Sequence, residues 1–189
     1  MTFADSLRHV GLGIMVCAAA IVPALTMGRR AAVSPLRVGD VAPQPCLSDW
    51  LQGIPIDFDA PHGVTVLVFW GTYCPPCRDA MPVLSRAQER YAKDGVRVVC
   101  VGHESREKTA AYLGRFSPPL RQSFALDSGW ITSRLYLEGL DVFGIPLAVV
   151  VAPDGTIAWH GDPLDEGLIA AIQGSLDSSS ARKLQIRLR

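Results

Sequence analysis

The sequence has no net charge: 18 Lys and Arg residues balance 18 Asp and Glu residues over 189 positions. There is no basic block before the C-terminal stretch from Lys183 to Arg189, so nothing in the chain draws it to a phosphate backbone, and nucleic acid is excluded as a partner. No internal repeat is present, and no low-complexity tract precedes Ser178-Ser179-Ser180. One domain, roughly Val38 to Gln173, is therefore the economical reading. No glycine-rich dinucleotide fingerprint follows any strand, so the chain is expected to carry no flavin, nicotinamide or other organic cofactor of its own. Only one C-x-x-C pair is present, Cys74 and Cys77, and His103 and His160 lack paired spacing. A zinc ribbon would need a second pair, so no metal is expected.

From Val10 to Met27 there is no charged side chain, and the run is bracketed by Arg8 and His9 before it and Arg29 and Arg30 after it. As a helix it would span roughly 27 Å, just short of a hydrocarbon core of ~30 Å. It is rich in Ala and Gly and contains Pro23, so an uncleaved anchor competes with a cleaved secretory signal. Arg29 and Arg30 outweigh Arg8, and the positive-inside rule alone would leave the following domain in the cytoplasm. The expected organisation is a signal anchor or signal peptide over 1–30 and a linker over 31–37. The main domain then covers 38–176, and 177–189 is a flexible basic tail.

Hydrophobic residues make up 49% of the chain, ample for a core. Val64 to Trp70 (VTVLVFW) is an apolar run rich in β-branched and aromatic residues, which suits a strand covered on both faces. Pro75 to Lys93 turns helical, with Met81, Leu84, Ala87 and Tyr91 at helical spacing, and Asp94-Gly95 ends it. Val96 to Val101 reads as a second buried strand, Glu104 to Phe116 as a polar helix and Ser123 to Asp127 as a short strand. Leu147 to Ala152, Asp154-Gly155 and Thr156 to His160 make a β-hairpin. Asp165 to Gly174 makes a last amphipathic helix. The order implies an α/β sandwich with a mixed sheet.

The chemistry lies where the first strand meets the first helix, in Phe69-Trp70-Gly71-Thr72-Tyr73-Cys74-Pro75-Pro76-Cys77. Two cysteines at this spacing can close a small disulfide ring. Cys74 falls at the helix N-terminus, where unpaired N–H groups and the positive dipole end favour a thiolate, the attacking species in disulfide exchange. Pro75 and Pro76 fit a first turn that has no use for their missing N–H groups. Cys77, nearly a turn further on, points inward and suits a resolving thiol. Metal binding and an inert structural bridge are the competing readings of the pair. Cys17 lies in the apolar segment. Cys100 reads as a core residue, and Cys46 as either unpaired or bonded to Cys100 or a partner.

The stretch VLVFWGTYCPPCRDAMPVL resembles the active-site signature of the thioredoxin superfamily. More narrowly, it is similar to the membrane-anchored, extracytoplasmic reductases of the TlpA/ResA type, linked to cytochrome c maturation. Val38–Phe58 (VGDVAPQPCLSDWLQGIPIDF) resembles that group's extra N-terminal β-hairpin. Phe143–Pro163 (FGIPLAVVVAPDGTIAWHGDP) resembles the segment bearing the superfamily's cis-proline. The resemblance implies a three-layer sandwich around a central mixed sheet, with that hairpin added and the N-terminal membrane or signal segment ahead of it. It implies Cys74 as nucleophile and Cys77 as resolving thiol. It also implies Pro146 as the cis-proline facing the pair, Ile145 as the residue whose backbone pairs with the substrate chain, Trp70 packed beneath the site and Tyr73 on its surface. Pro82 matches the helix-kinking proline of the first helix. The partners it implies are a disulfide-bonded exported protein and a membrane electron donor, with the domain on the extracytoplasmic side.

The sequence departs from that pattern in one respect. The glutamate usual three residues after the second cysteine is Ala80, and the aspartate that some thioredoxins bury before the first cysteine is Val68. Asp79 should face solvent. Glu104 can be either a substitute proton acceptor or a solvated helix cap. A specialised cytochrome c reductant and a general disulfide reductase therefore stand level. A disulfide oxidant or isomerase, a copper metallochaperone using the same dithiol with His103 or His160, and a non-catalytic binding module are the alternatives.

Overall fold

A computed structural model describes residues 33–53, 55 and 63–187. The expected N-terminal anchor or signal over 1–30, and Cys17 within it, lie outside the described residues. Among those described, no helix is long and apolar enough to cross a membrane.

The apolar run after Gly63 forms β2 (Thr65–Phe69), every residue of it buried. It pairs in parallel with β3 (Arg97–Gly102), which pairs in parallel with β4 (Ser123–Asp127). On its other side β2 pairs antiparallel with β5 (Leu147–Val151), and β5 with β6 (Ile157–Gly161). The edge strand β1 (Leu47–Gln52) runs antiparallel to β4, completing a mixed sheet of order β1-β4-β3-β2-β5-β6.

Side chains alternate between the two faces, and each face has its own core. Val66, Val68, Val98, Cys100, Ala148 and Val150 pack with Met81 and Leu84 of α1 (Pro75–Tyr91) and with Leu168 and Ile172 of α4 (Gly167–Arg187). Partly buried Tyr112 and Leu113 of α2 (Arg106–Leu113) join that side. Leu67, Phe69, Val99, Val101, Leu147 and Val149 pack on the opposite side, against Tyr136 of α3 (Ile131–Gly139) and Leu140 just beyond it. The result is the α/β/α layering expected of a strand apolar on both faces. After α1 the chain makes a 3-10 turn at Ala92–Asp94, and Gly95 at φ 85 turns it into β3.

Of the expected N-terminal hairpin, strand β1 and an isolated bridge between Val41 and Thr156 are described; most of its other arm, 54 and 56–58, lies outside the described residues. The structure differs from the sequence reading at three places. The helix expected over Glu104–Phe116 is shorter, because the Ser105 side chain caps it by accepting from the Lys108 N–H. Helix α3 was not expected at all. The helix expected to end at Gly174 runs on to Arg187, so 177–187 is helical rather than a flexible tail. The serines that suggested a break stay in the helix by bonding back one turn: Ser178 Oγ donates to Gly174 O at 2.8 Å and Ser180 Oγ to Leu176 O at 3.0 Å.

Candidate active site

Strand β2 ends at Phe69 with Leu147 of β5 opposite it on one side and Val101 of β3 on the other. The chain leaves the sheet there: Trp70 N–H donates to Val101 O, and Thr72-Tyr73 lead into α1. Cys74 is the N-cap of α1 with extended backbone, and its Sγ accepts the Cys77 N–H at 3.2 Å. One otherwise orphaned amide of the first helical turn is thus aimed at that sulfur. Cys74 and Cys77 are joined, with S–S 2.10 Å and Cα–Cα 5.3 Å. Cys77 is fully buried and Cys74 nearly so.

Residues distant in sequence close over the pair. Cys74 Sγ lies 3.6 Å from the carbonyl oxygen of Ile145, and the Ile145–Pro146 peptide bond is cis. Trp70 is buried between Tyr112 and Phe124, ring centroids 5.5 and 5.6 Å away, with its indole N–H unpaired. Tyr73 is 60% exposed. Its ring folds back over Gly71, where an added Cβ would meet the ring at 2.7 Å and push it aside. All six residues singled out in the sequence, Cys74, Cys77, Pro146, Ile145, Tyr73 and Trp70, therefore meet at one end of the sheet.

The structure also brings in residues that the sequence left undecided or silent. Glu104, just past β3, reaches across to the loop before Cys74. Its carboxylate accepts the Thr72 N–H at 2.5 Å and the Thr72 hydroxyl at 2.8 Å, and pairs with Lys108 one turn along. Burial pushes the Glu104 carboxyl up, but the bonds from Lys108 and Thr72 outweigh it and hold the group below its ordinary value. Glu104 is thus not a solvated helix cap; it anchors the loop that carries Cys74. Beside it His103 stacks on Trp130 at 3.6 Å between centroids, and its Nε2 lies 3.4 Å from the Tyr73 hydroxyl. Burial lowers the His103 pKa against the pull of Glu104 and Asp127. Asp79 is exposed beside Arg78, as expected, and Ala80 is buried. On the α2 side of Cys74 an open groove of about 370 Å³ runs between Tyr73, Arg78 and the end of α2.

Cys100 is buried and Cys46 exposed, and neither is in a disulfide. Among the described residues no three His, Cys, Asp or Glu side chains converge as a metal site.

A family model described as Thioredoxin-like matches residues 63–157, half of the chain, from just before β2 to the start of β6. The chain belongs to that family. This thioredoxin-like chain is 30% identical over 126 residues to the thiol-disulfide oxidoreductase ResA of Halalkalibacterium halodurans, covering 64% of the chain and 66% of the relative. It is 29% identical over 91 residues to ResA of Bacillus subtilis, covering 48% of each. The match thus spans about two thirds or less of these relatives' own length. A crystal structure from Chlorobium tepidum, designated thiol:disulfide interchange protein DsbE, superposes with a TM-score of 0.64 at 26% identity. It covers 75% of this chain and 99% of its own.

Proposed function

We propose that this thioredoxin-like chain is a protein-disulfide oxidoreductase that reduces disulfides of exported proteins through the Cys74–Cys77 dithiol. One observation carries the reading: the Cys74–Cys77 pair sits at the N-terminus of α1, with the Cys77 amide on the Cys74 sulfur and the Ile145 carbonyl beside it. The names of the relatives, thiol-disulfide oxidoreductase and thiol:disulfide interchange protein, support it.

In this reading the less buried sulfur is the nucleophile. Cys74 thiolate, stabilised by the helix-end amide and dipole, attacks one sulfur of the substrate disulfide. A mixed disulfide forms, and the other substrate sulfur leaves and takes up a proton. Cys77 then attacks Cys74, the second substrate sulfur leaves and is protonated, and the Cys74–Cys77 disulfide closes. Ile145 lends its backbone to the substrate chain, and Pro146, with no N–H, keeps sheet pairing from claiming that edge. Trp70 forms the floor, and Tyr73 flanks the entry. A membrane electron donor returns the pair to the dithiol.

The segment 1–30 serves as the membrane anchor or export signal, 31–37 as linker, and the domain acts on the extracytoplasmic side. Disulfide-bonded apocytochrome c is one substrate class to test.

The experiment is the redox potential of the full chain, from equilibration in thiol buffers with Cys74→Ser as control. A value near thioredoxin's, roughly −270 mV, supports a reductant, whereas one near roughly −120 mV makes the protein a disulfide donor or isomerase. Exchange that persists at the wild-type rate in Cys74→Ser would remove the dithiol reading altogether.

A further inference from the structure

Resting on the function proposed above, the groove beside Cys74 indicates which disulfides are taken. It is lined by Cys74, Tyr73, Arg78, Tyr112, Arg115 and Phe116 among others, so two arginines and three aromatic residues share one groove with the reactive cysteine. Arg78 follows Cys74 by one helical turn, its N–H bonded to Cys74 O, and thus shares that face of α1. Arg115 comes from the opposite wall, just beyond α2.

Among the described residues, the charge in this groove is little neutralised. Arg115 is exposed, and among the described residues no carboxylate lies within ion-pair distance of it. Among the described residues Arg78 pairs with its sequence neighbour Asp79, at 3.5 Å, with both side chains 64% exposed, a weak pair. The other nearby carboxylate, Glu104, is already held by Lys108 and the Thr72 loop. The Tyr112 hydroxyl is buried without a hydrogen-bond partner. Burial raises its pKa, and the charges of Arg78 and Arg115 oppose the rise, so both cations act on one spot. On the other side of Cys74 stand Ile145 and Pro146, with no charge.

We propose that the groove is a substrate subsite that selects polypeptide disulfides bearing an acidic side chain beside the attacked cysteine, the carboxylate pairing with Arg115 and Arg78. An extended chain advances ~3.3 Å per residue, so a residue within about three positions of a cysteine bonded to Cys74 lies over the groove.

The test uses the full chain in detergent, reduced with dithiothreitol and desalted, in single-turnover exchange with peptides of one sequence and one internal disulfide. The peptides carry Glu, Gln or Lys beside the first cysteine. Each turnover moves two electrons and two protons from the Cys74–Cys77 dithiol to the peptide disulfide. The expected order is Glu, then Gln, then Lys, with Glu over Lys by roughly tenfold at low salt and less at high salt. Ratios are compared within each variant, so a general change in thiol reactivity cancels. Arg115→Gln should bring the Glu-to-Lys ratio close to one, and Arg115→Glu should reverse the order. Equal rates on all three peptides in the wild type, or an order that survives Arg115→Glu, overturns the subsite and leaves the oxidoreductase reading standing. Failure to reduce any peptide, with the thiols shown to be free, overturns both. Glutathione disulfide outrunning the Glu peptide would make the groove a small-molecule subsite and overturn the polypeptide assignment.

Discussion

Glu104 shows how one side chain ties the reactive loop to the sheet. Thr72 offers it an N–H and a hydroxyl, and Lys108 offers an ammonium, all to a carboxylate whose side chain is only 9% exposed. Glu104→Ala leaves two donors of the Cys74 loop unpaired and should cost about 2 kcal/mol, read from the urea midpoint. Because the folded pKa is held below the ordinary value, the charge-dependent part of that gap is complete above pH ~4.3 and closes as the pH falls through the depressed value. A gap that instead closed on the alkaline side would refute the assignment. The two described cysteines outside the pair make a second residue-scale contrast. Burial pushes the Cys100 thiol far up, only partly offset by Gln122, whereas Cys46 is exposed. With the Cys74–Cys77 disulfide closed, iodoacetamide should modify Cys46 and spare Cys100, which peptide mapping by mass spectrometry reads directly. Modification of Cys100 at the rate of Cys46 would mean that the core opens there.

At the scale of elements, what was legible followed from period and punctuation. The run Val64 to Trp70 signals a strand covered on both faces, and Asp154-Gly155 signals the β5–β6 turn, because these local patterns have few alternatives. Cys74 and Cys77 were legible from their spacing at a helix start, and Ile145 and Pro146 from the resemblance, which marks their positions. Helix α3 was not readable, because its buried face is made of Thr132, Ser133, Tyr136 and Gly139 rather than a Leu or Ile stripe. Its first turn is capped from outside the helix. Asp127, at the end of β4, accepts the N–H groups of Thr132 at 2.9 Å and Ser133 at 2.7 Å, while Trp130 stands at φ 63. That cap reaches over the 3-10 turn Ser128–Trp130 rather than sitting at the usual N-cap position, and the Glu104–Thr72 tie joins segments far apart in sequence, so neither matches a capping motif that sequence spacing reveals. Asp127→Ala should cost about 2 kcal/mol, and Asp127→Asn, which keeps an acceptor oxygen, clearly less. Equal losses in urea unfolding would show that the cap carries no stability.

For the whole molecule, the question is where the folded unit stops, since α4 continues without interruption to Arg187. Leu168 and Ile172 are buried on the α1 side of the sheet, Ser175 is buried, Leu176 packs against the same core, and Gln173 Nε2 reaches the Tyr91 hydroxyl of α1 at 3.1 Å. Beyond Leu176 the side chains of Asp177, Ser178, Ser180 and Ala181 are exposed. A helical extension of this length is marginal by itself and draws on continuity with the docked turns. We therefore place the end of the folded unit at about residue 176. A chain ended after Asp177 should unfold within about 0.5 kcal/mol of the full chain. One ended after Gln173 loses the burial of Ser175 and Leu176 and should be destabilised by about 2 kcal/mol. Urea midpoints of the two truncations decide it. If both cost the same, Ser175 and Leu176 contribute nothing, and the boundary has to move.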